Sequence, residues 1–254
     1  MKYAYDWSKQ INAELLLVHQ TIVVASAIAD KESKGSLIKQ ANDEALKRLK
    51  ELVGLLLAPS EKVSFAVSEI PLQMTLSRLL DEPFENLIFV GLKGTGILKQ
   101  LFIGSLAVHI IDNTKNIVVA MPNDLTHFSH EKIFVAVTET HPLNLLELNK
   151  FLSFLDKSKT TITFFYLAKP FEKTKEIEKL LSNLSKFFED KFQTSYAIYE
   201  GNHSSEDIKE VINNKVDELL IVQKGSRLLT DQFFRKFLIN ELVYEGQTPL
   251  VVLP

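Results

Sequence analysis

Short apolar runs recur along the chain, and the segments between them return apolar residues every three or four positions. Runs of this length rich in Val, Ile, Leu and Phe predict buried strands, whereas the 3.6-residue period predicts helices. Their alternation predicts an α/β protein with an open, mostly parallel sheet flanked by helices. The expected strands are Leu15–Gln20, Val63–Val67, Leu87–Val90, Ile117–Met121, Ile133–Thr138, Ile162–Leu167, Ser195–Tyr199, Leu219–Val222 and Leu250–Leu253. The clearest helix start is Ser204-Ser205-Glu206-Asp207, where a hydroxyl and a carboxylate three residues on can satisfy free N–H groups. Phe151, Phe154, Phe187, Phe188, Phe233, Phe234 and Phe237 recur at helical spacing and are expected on core-facing sides.

The pattern repeats. ENLIFV ending at Val90 matches DELLIV ending at Val222, and VVAMP ending at Pro122 matches VVLP ending at Pro254; 222 minus 90 equals 254 minus 122, an offset of 132 in both cases. One offset shared across strand, helix and strand predicts two copies of one α/β unit. They are expected over residues 1–124 and 131–254, joined through the polar NDLTHFSHEK segment. The second copy opens with a strand, a helix from about Leu143 to Lys157, and the strand ITFFYL. The first supplies only the end of that helix and the strand ELLLVH, so matching His19 to Leu167, at an offset of 148, places the counterpart of Ile133–Glu139 ahead of Met1. A native product extended at its N-terminus is one expectation; local repacking or a borrowed strand is the other.

Composition narrows the function. The 254 residues are 46% hydrophobic and carry a net charge of -3, a poor match to a surface built to neutralise phosphate backbones, so no nucleic-acid partner is expected. The chain has no cysteine, which excludes disulfides, thiolate metal sites and thiol nucleophiles. No apolar run reaches the roughly 20 residues of a membrane span, and the first ten residues lack a signal-like core; a cytoplasmic protein without membrane contact is expected.

Four of the nine glycines, Gly91, Gly94, Gly96 and Gly104, fall between the strand Leu87–Val90 and a helix that starts at Gly104-Ser105. Glycine lets a backbone approach a ligand closely, and free N–H groups at a helix start carry partial positive charge. At the carboxyl end of a parallel strand this arrangement fits an anion such as phosphate. The plainer reading is that these are turn and cap glycines, with Ser105 as a helix cap and Lys93 a solvated surface lysine.

Gly91, Gly94, Gly104 and Ser105 reproduce the spacing G-x2-G-x9-G-[ST] of the universal stress protein family, and the two-copy layout resembles its tandem members. The resemblance spans essentially the whole chain. It implies parallel sheets of strand order 3-2-1-4-5, with the terminal VVAMP and VVLP strands pairing across a pseudo-dimer axis. It also implies ATP or AMP bound at Gly91, Gly94, Gly104 and Ser105, with Mg2+ accompanying ATP. The 132-residue offset puts Gln223, Ser226, Lys236 and Phe237 at these positions in the second copy, which is therefore expected not to bind nucleotide. The absent first strand would carry the aspartate that relatives use near adenine and ribose, Ala107 stands where many place a hydroxyl, and Glu139 takes the aspartate position in the second copy.

The histidines offer no catalytic constellation. His127 and His130, beside Glu131, are expected at the surface of the linker, Gly225 in a turn, and no Ser/His/Asp set or acid pair is defensible. Three functions are consistent with these residues: a nucleotide-sensing adaptor with unidentified protein partners, not an enzyme; an interaction module with a decayed site; and an enzyme acting on a nucleotide-linked substrate. The first is the expectation carried forward, with the second copy as intramolecular partner and a homodimer as the further assembly.

Overall fold

The computed structural model describes residues 1–24, 30–57, 62–81, 83–91, 105–122, 125, 129–139, 141–168, 171–200, 219–225 and 248–254, with backbone alone for Ser105, Leu106 and Glu200. The chain forms two compact units, Met1–Glu85 and Asn86–Pro254.

The first unit runs α1 (Lys2–Gln10), β1 (Leu15–Gln20), α2 (Lys31–Leu56), β2 (Val63–Ser68) and α3 (Leu72–Leu80). β1 and β2 pair in parallel, from Leu15 opposite Val63 to Gln20 opposite Ser68. Asp30 starts α2 as its N-cap, its carboxylate accepting the Ser33 N–H at 2.7 Å. In α1, Trp7 and Tyr3 are buried and meet edge-on at 6.0 Å.

The second unit holds β3 (Leu87–Gly91), α4 (Ser105–Asn113), β4 (Ile117–Met121), β5 (Lys132–Ala136), α5 (Leu145–Ser153), β6 (Thr161–Ala168), α6 (Lys175–Phe188), β7 (Gln193–Glu200), β8 (Leu219–Gln223) and β9 (Leu250–Leu253). Its seven strands lie in the order β3-β4-β9-β8-β5-β6-β7, parallel throughout except between β4 and β9. Counted from β5, the segment β7-β6-β5-β8-β9 reads 3-2-1-4-5. All nine strands stand where the apolar runs place them, their ends moved by at most two residues, while the helix expected over 143–157 is the shorter Leu145–Ser153. The Ser204–Asp207 helix start lies outside the described residues.

The sequence repeat groups β3, α4 and β4 with the strands before them, whereas contacts place these elements in the second unit. The physical reason is the antiparallel β4–β9 seam. Val118 pairs with Val252, Val119 with Val251 and Ala120 with Leu250. Val119 and Val251 are themselves 132 residues apart, so this register is symmetric about two positions that the sequence offset equates, the geometry of an isologous contact.

The core is built from strands buried on both faces. Ile117, Val119, Val135, Ile221, Val251 and Leu250 have essentially no exposure. On α6, Ile177, Leu181, Leu184 and Phe188 recur at helical spacing and are buried, Phe188 stacking on Phe164 at 5.7 Å. Phe151 is buried as expected, but Phe187 is 60% exposed and meets Phe188 edge-on at 5.0 Å. Adjacent residues on a helix point about 100° apart, so only one of the Phe187-Phe188 pair can face the sheet. Phe233, Phe234 and Phe237 lie outside the described residues.

Hydrogen-bond parity also corrects the alignment of the two copies. Leu15 N–H donates to Lys62 O and Thr21 N–H to Ser68 O, so odd-numbered residues of β1 face β2. In β6, Thr161 N–H donates to Glu131 O and Phe165 O accepts from Val137 N–H, so odd-numbered residues face β5 and even-numbered ones face β7. β1 and β6 therefore correspond at an odd offset, one residue away from 148, because a one-residue slip exchanges the edges and faces of a strand.

Candidate functional site

β3 ends at Gly91, which pairs with Met121 at the end of β4 and is exposed. A methyl group in place of its hydrogen would meet no described atom within 4 Å. Neither packing against the described residues nor a left-handed backbone therefore requires glycine there. Among the described residues, nothing fills the carboxyl end of this strand, the place where open α/β sheets receive ligands.

α4 begins at Ser105 and is held from two sides. Ala107, Ile110 and Ile111 form a buried apolar face with the spacing of one helix side. At its far end the Lys224 ammonium donates to Asp112 O at 2.7 Å and Thr114 O at 3.0 Å, placing positive charge on carbonyls at the negative end of the helix. Gly91 and Ser105 thus delimit the segment 92–104 on described elements. Gly94, Gly96 and Gly104 lie outside the described residues, as does the Ser105 side chain.

The corresponding strand end of residues 131–254 is occupied. Gln223 is buried; its Oε1 accepts the Asn144 N–H at 3.0 Å and its Nε2 donates to Pro254 O at 2.5 Å. One side chain ties the end of β8 to the residue that starts α5 and to the segment after β9. Gly225 follows at a φ of 80°, a left-handed turn that favours glycine, and Glu139 is exposed beyond β5. Ser226, Lys236 and Phe237 lie outside the described residues.

A different cavity was not read from the sequence. An open depression of about 310 Å3 lies at the carboxyl ends of β1 and β2, lined by Gln20, Thr21, Ile22, Val23, Lys34, Ile38 and Glu69. Buried Thr21 bonds through its hydroxyl to Asn42 Oδ1, and Asn42 Nδ2 donates to Glu69 Oε2 at 3.1 Å. Its own backbone N–H, then Asn42, hold the Glu69 carboxyl below the ordinary range. The signal available beforehand was the position of Thr21 just past an apolar strand.

His130 corrects an expectation. Instead of lying at the surface it is 5% exposed, and its Nε2 accepts the Asp156 N–H at 3.1 Å. His19, His109 and His141 are exposed, while His127 and His203 lie outside the described residues. Among the described residues, no three His, Asp or Glu side chains gather as a metal site, and no helix is long and apolar enough to cross a membrane.

No family model matches the sequence, and no curated protein matches it. Among solved structures, a universal stress protein from Archaeoglobus fulgidus DSM 4304 superposes with a TM-score of 0.64 at 14% identity, over 99% of this chain and 91% of that one. The chain has the universal stress protein fold. A functionally unknown protein from Pseudomonas aeruginosa PAO1 gives a TM-score of 0.48 at 13% identity, with 97% of this chain and 94% of that one covered. A protein described as a putative universal stress protein from Pseudomonas aeruginosa UCBPP-PA14 gives 0.49 at 13% identity, covering 94% and 92%. The fold places strand ends and helix starts where a universal stress protein has them. The residues at those ends decide what each can bind.

Proposed function

We propose that the chain is a tandem universal stress protein whose residues 1–124 bind an adenine nucleotide, with residues 131–254 as a non-binding, built-in partner. The observation that carries the reading is the contrast at equivalent strand ends: Gly91 brings no side chain and meets no described atom there, whereas Gln223 fills its own position with two hydrogen bonds. The motif spacing from Gly91 to Ser105 and the fold likeness support the nucleotide, and the symmetric β4–β9 seam supports the tandem pairing.

In this reading main-chain N–H groups of segment 92–104 and the start of α4 hold phosphate oxygens, with the Ser105 hydroxyl as a further donor. Mg2+, when it accompanies ATP, offsets phosphate charge. Occupancy orders the glycine-rich segment and alters a surface that protein partners read; no general base is needed, and the assignment is a sensor or adaptor in the cytoplasm rather than an enzyme.

Gly91→Ala tests it most cleanly, because no described atom lies within 4 Å of the added methyl group. The variant should unfold within about 0.5 kcal/mol of the parent, the range of surface changes away from special features. ATP and AMP affinity, measured by calorimetry, should fall at least about tenfold in Gly91→Ala and further in Gly104→Glu, because either group stands where phosphate must approach the backbone. No measurable binding by the parent chain would favour the interaction module with a decayed site. Binding unchanged in both variants would move the ligand elsewhere.

A further inference from the structure

The depression past the carboxyl ends of β1 and β2 is lined entirely from the first unit, and side chains fix its walls. Lys34, Ile38 and Asn42 recur every four residues, which sets them on one face of α2. Gln20 Oε1 accepts the Leu72 N–H at 3.1 Å, and Ser68 Oγ accepts the Ile70 N–H at 2.8 Å, closing the turn that carries Glu69. Asn42 joins buried Thr21 to the Glu69 carboxylate. Both strand ends, the Glu69 turn and α2 are therefore held in place before any guest arrives.

The lining carries both signs of charge. Lys34 and Glu69 face the same depression, yet no ion pair joins them. The Glu69 N–H and then Asn42 hold that carboxyl ionised. Ile22, Val23 and Ile38 add aliphatic surface, and Ile22 stands 86% exposed at the rim. A nucleotide would set its phosphates against Glu69, a fatty acid its carboxylate likewise, and a simple amine its charge against Lys34. A molecule with both charges and an aliphatic body meets every one of these groups. The volume of about 310 Å3 lies at the small end of ligand sites, roughly 300–1,000 Å3. We propose that this depression binds a small zwitterion, an α-amino acid with an aliphatic side chain: its ammonium on Glu69, its carboxylate on Lys34, its side chain against Ile22, Val23 and Ile38. The site shares no residue with the nucleotide site proposed above, so either can fail alone.

L-leucine titrated into the isotope-labelled full chain tests this by NMR. Saturable shifts should appear at Thr21, Ile22, Ile38 and Glu69, with a Kd below about 1 mM. Isoamylamine lacks the carboxylate and 4-methylpentanoate the ammonium, and each should bind at least about tenfold more weakly. In the protein, Glu69→Gln keeps an acceptor for Asn42 and removes the charge, and Lys34→Met keeps the stem and removes the ammonium. Each should weaken leucine at least about tenfold with the circular dichroism spectrum retained, and Glu69→Gln should leave 4-methylpentanoate no weaker than in the parent. The three-ligand comparison on the parent stands even where a variant unfolds. Leucine without saturable shifts up to about 10 mM overturns the proposal, as does an amine or acid that binds equally well or an affinity unchanged in both variants. ATP that shifts the same four residues and displaces leucine assigns the depression to nucleotide and overturns it equally.

Discussion

Replacing Gln223 by leucine keeps most of the side-chain volume and removes both of its hydrogen bonds. Asn144 N–H then loses its acceptor and Pro254 O its donor. A group stranded in a dry interior costs about 1–3 kcal/mol, but Asn144 is exposed and Pro254 only half buried, so water replaces part of each loss and about 1 kcal/mol apiece is the better figure. The expected destabilisation is about 2 kcal/mol, read as a lower urea midpoint at unchanged slope. Exchange of the Asn144 amide should accelerate by roughly fivefold, the factor that about 1 kcal/mol represents. Gln223→Glu sharpens the test: it keeps an acceptor for Asn144 but sets a carboxylate against the Pro254 carbonyl, so its deficit should shrink on acidification, when a carboxyl O–H can donate. Should the leucine variant match the parent within about 0.5 kcal/mol with Asn144 exchange unchanged, Gln223 fills the strand end without holding it, and its contrast with Gly91 loses its physical basis.

Other consequences are as open to measurement. Lys224→Met removes the ammonium from Asp112 O and Thr114 O; because Lys224 is half exposed, the expected cost is about 1 kcal/mol in urea unfolding, with α4 amides exchanging faster. His130→Ala leaves the Asp156 N–H without its imidazole acceptor in a buried setting and should cost about 1–3 kcal/mol. The Ser158 hydroxyl and then its N–H hold the Asp156 carboxyl below the ordinary range. A depressed carboxylate contributes stability above its unfolded pKa and loses it as pH falls through the folded value; carbon NMR should therefore place the Asp156 titration low, and Ser158→Ala should raise it.

Strand positions were legible because buried strands leave continuous apolar runs, and every one of the nine survived. Strand ends and offsets were less so. A continuous apolar run carries no alternation that would fix parity, and this is why His19 and Leu167 looked equivalent in LLLVH and TFFYL when their backbone groups face different neighbours. Helix starts at Asp30 and Asn144 carried a readable signal, an acid or amide three residues before the N–H it accepts. His130 misled because a histidine in a polar segment says nothing of the Asp156 amide, 26 residues on, that the fold brings to its ring. Of the four glycine-loop residues, the structure describes Gly91 and the backbone of Ser105, and the sequence spacing still carries Gly94 and Gly104.

Pairing a strand end that ends in glycine with one filled by glutamine has a physical logic within one chain. Two phosphate-holding loops in a symmetric pair must each keep flexible, side-chain-free backbone, at a conformational cost that glycine raises in both. Where one half instead places a glutamine at that strand end, its amide satisfies one donor and one acceptor that would otherwise need water, and the strand is tied to its neighbours. The next residue, Lys224, extends that tie to the C-terminal end of α4, the helix whose other end follows the glycine-rich segment. Beside the β4–β9 seam, Lys224 thus links the glutamine-filled strand end to the helix that follows the glycine-rich segment. If so, Lys224→Met should weaken nucleotide binding as well as stability, and an affinity unchanged by that substitution would confine the tie to folding alone.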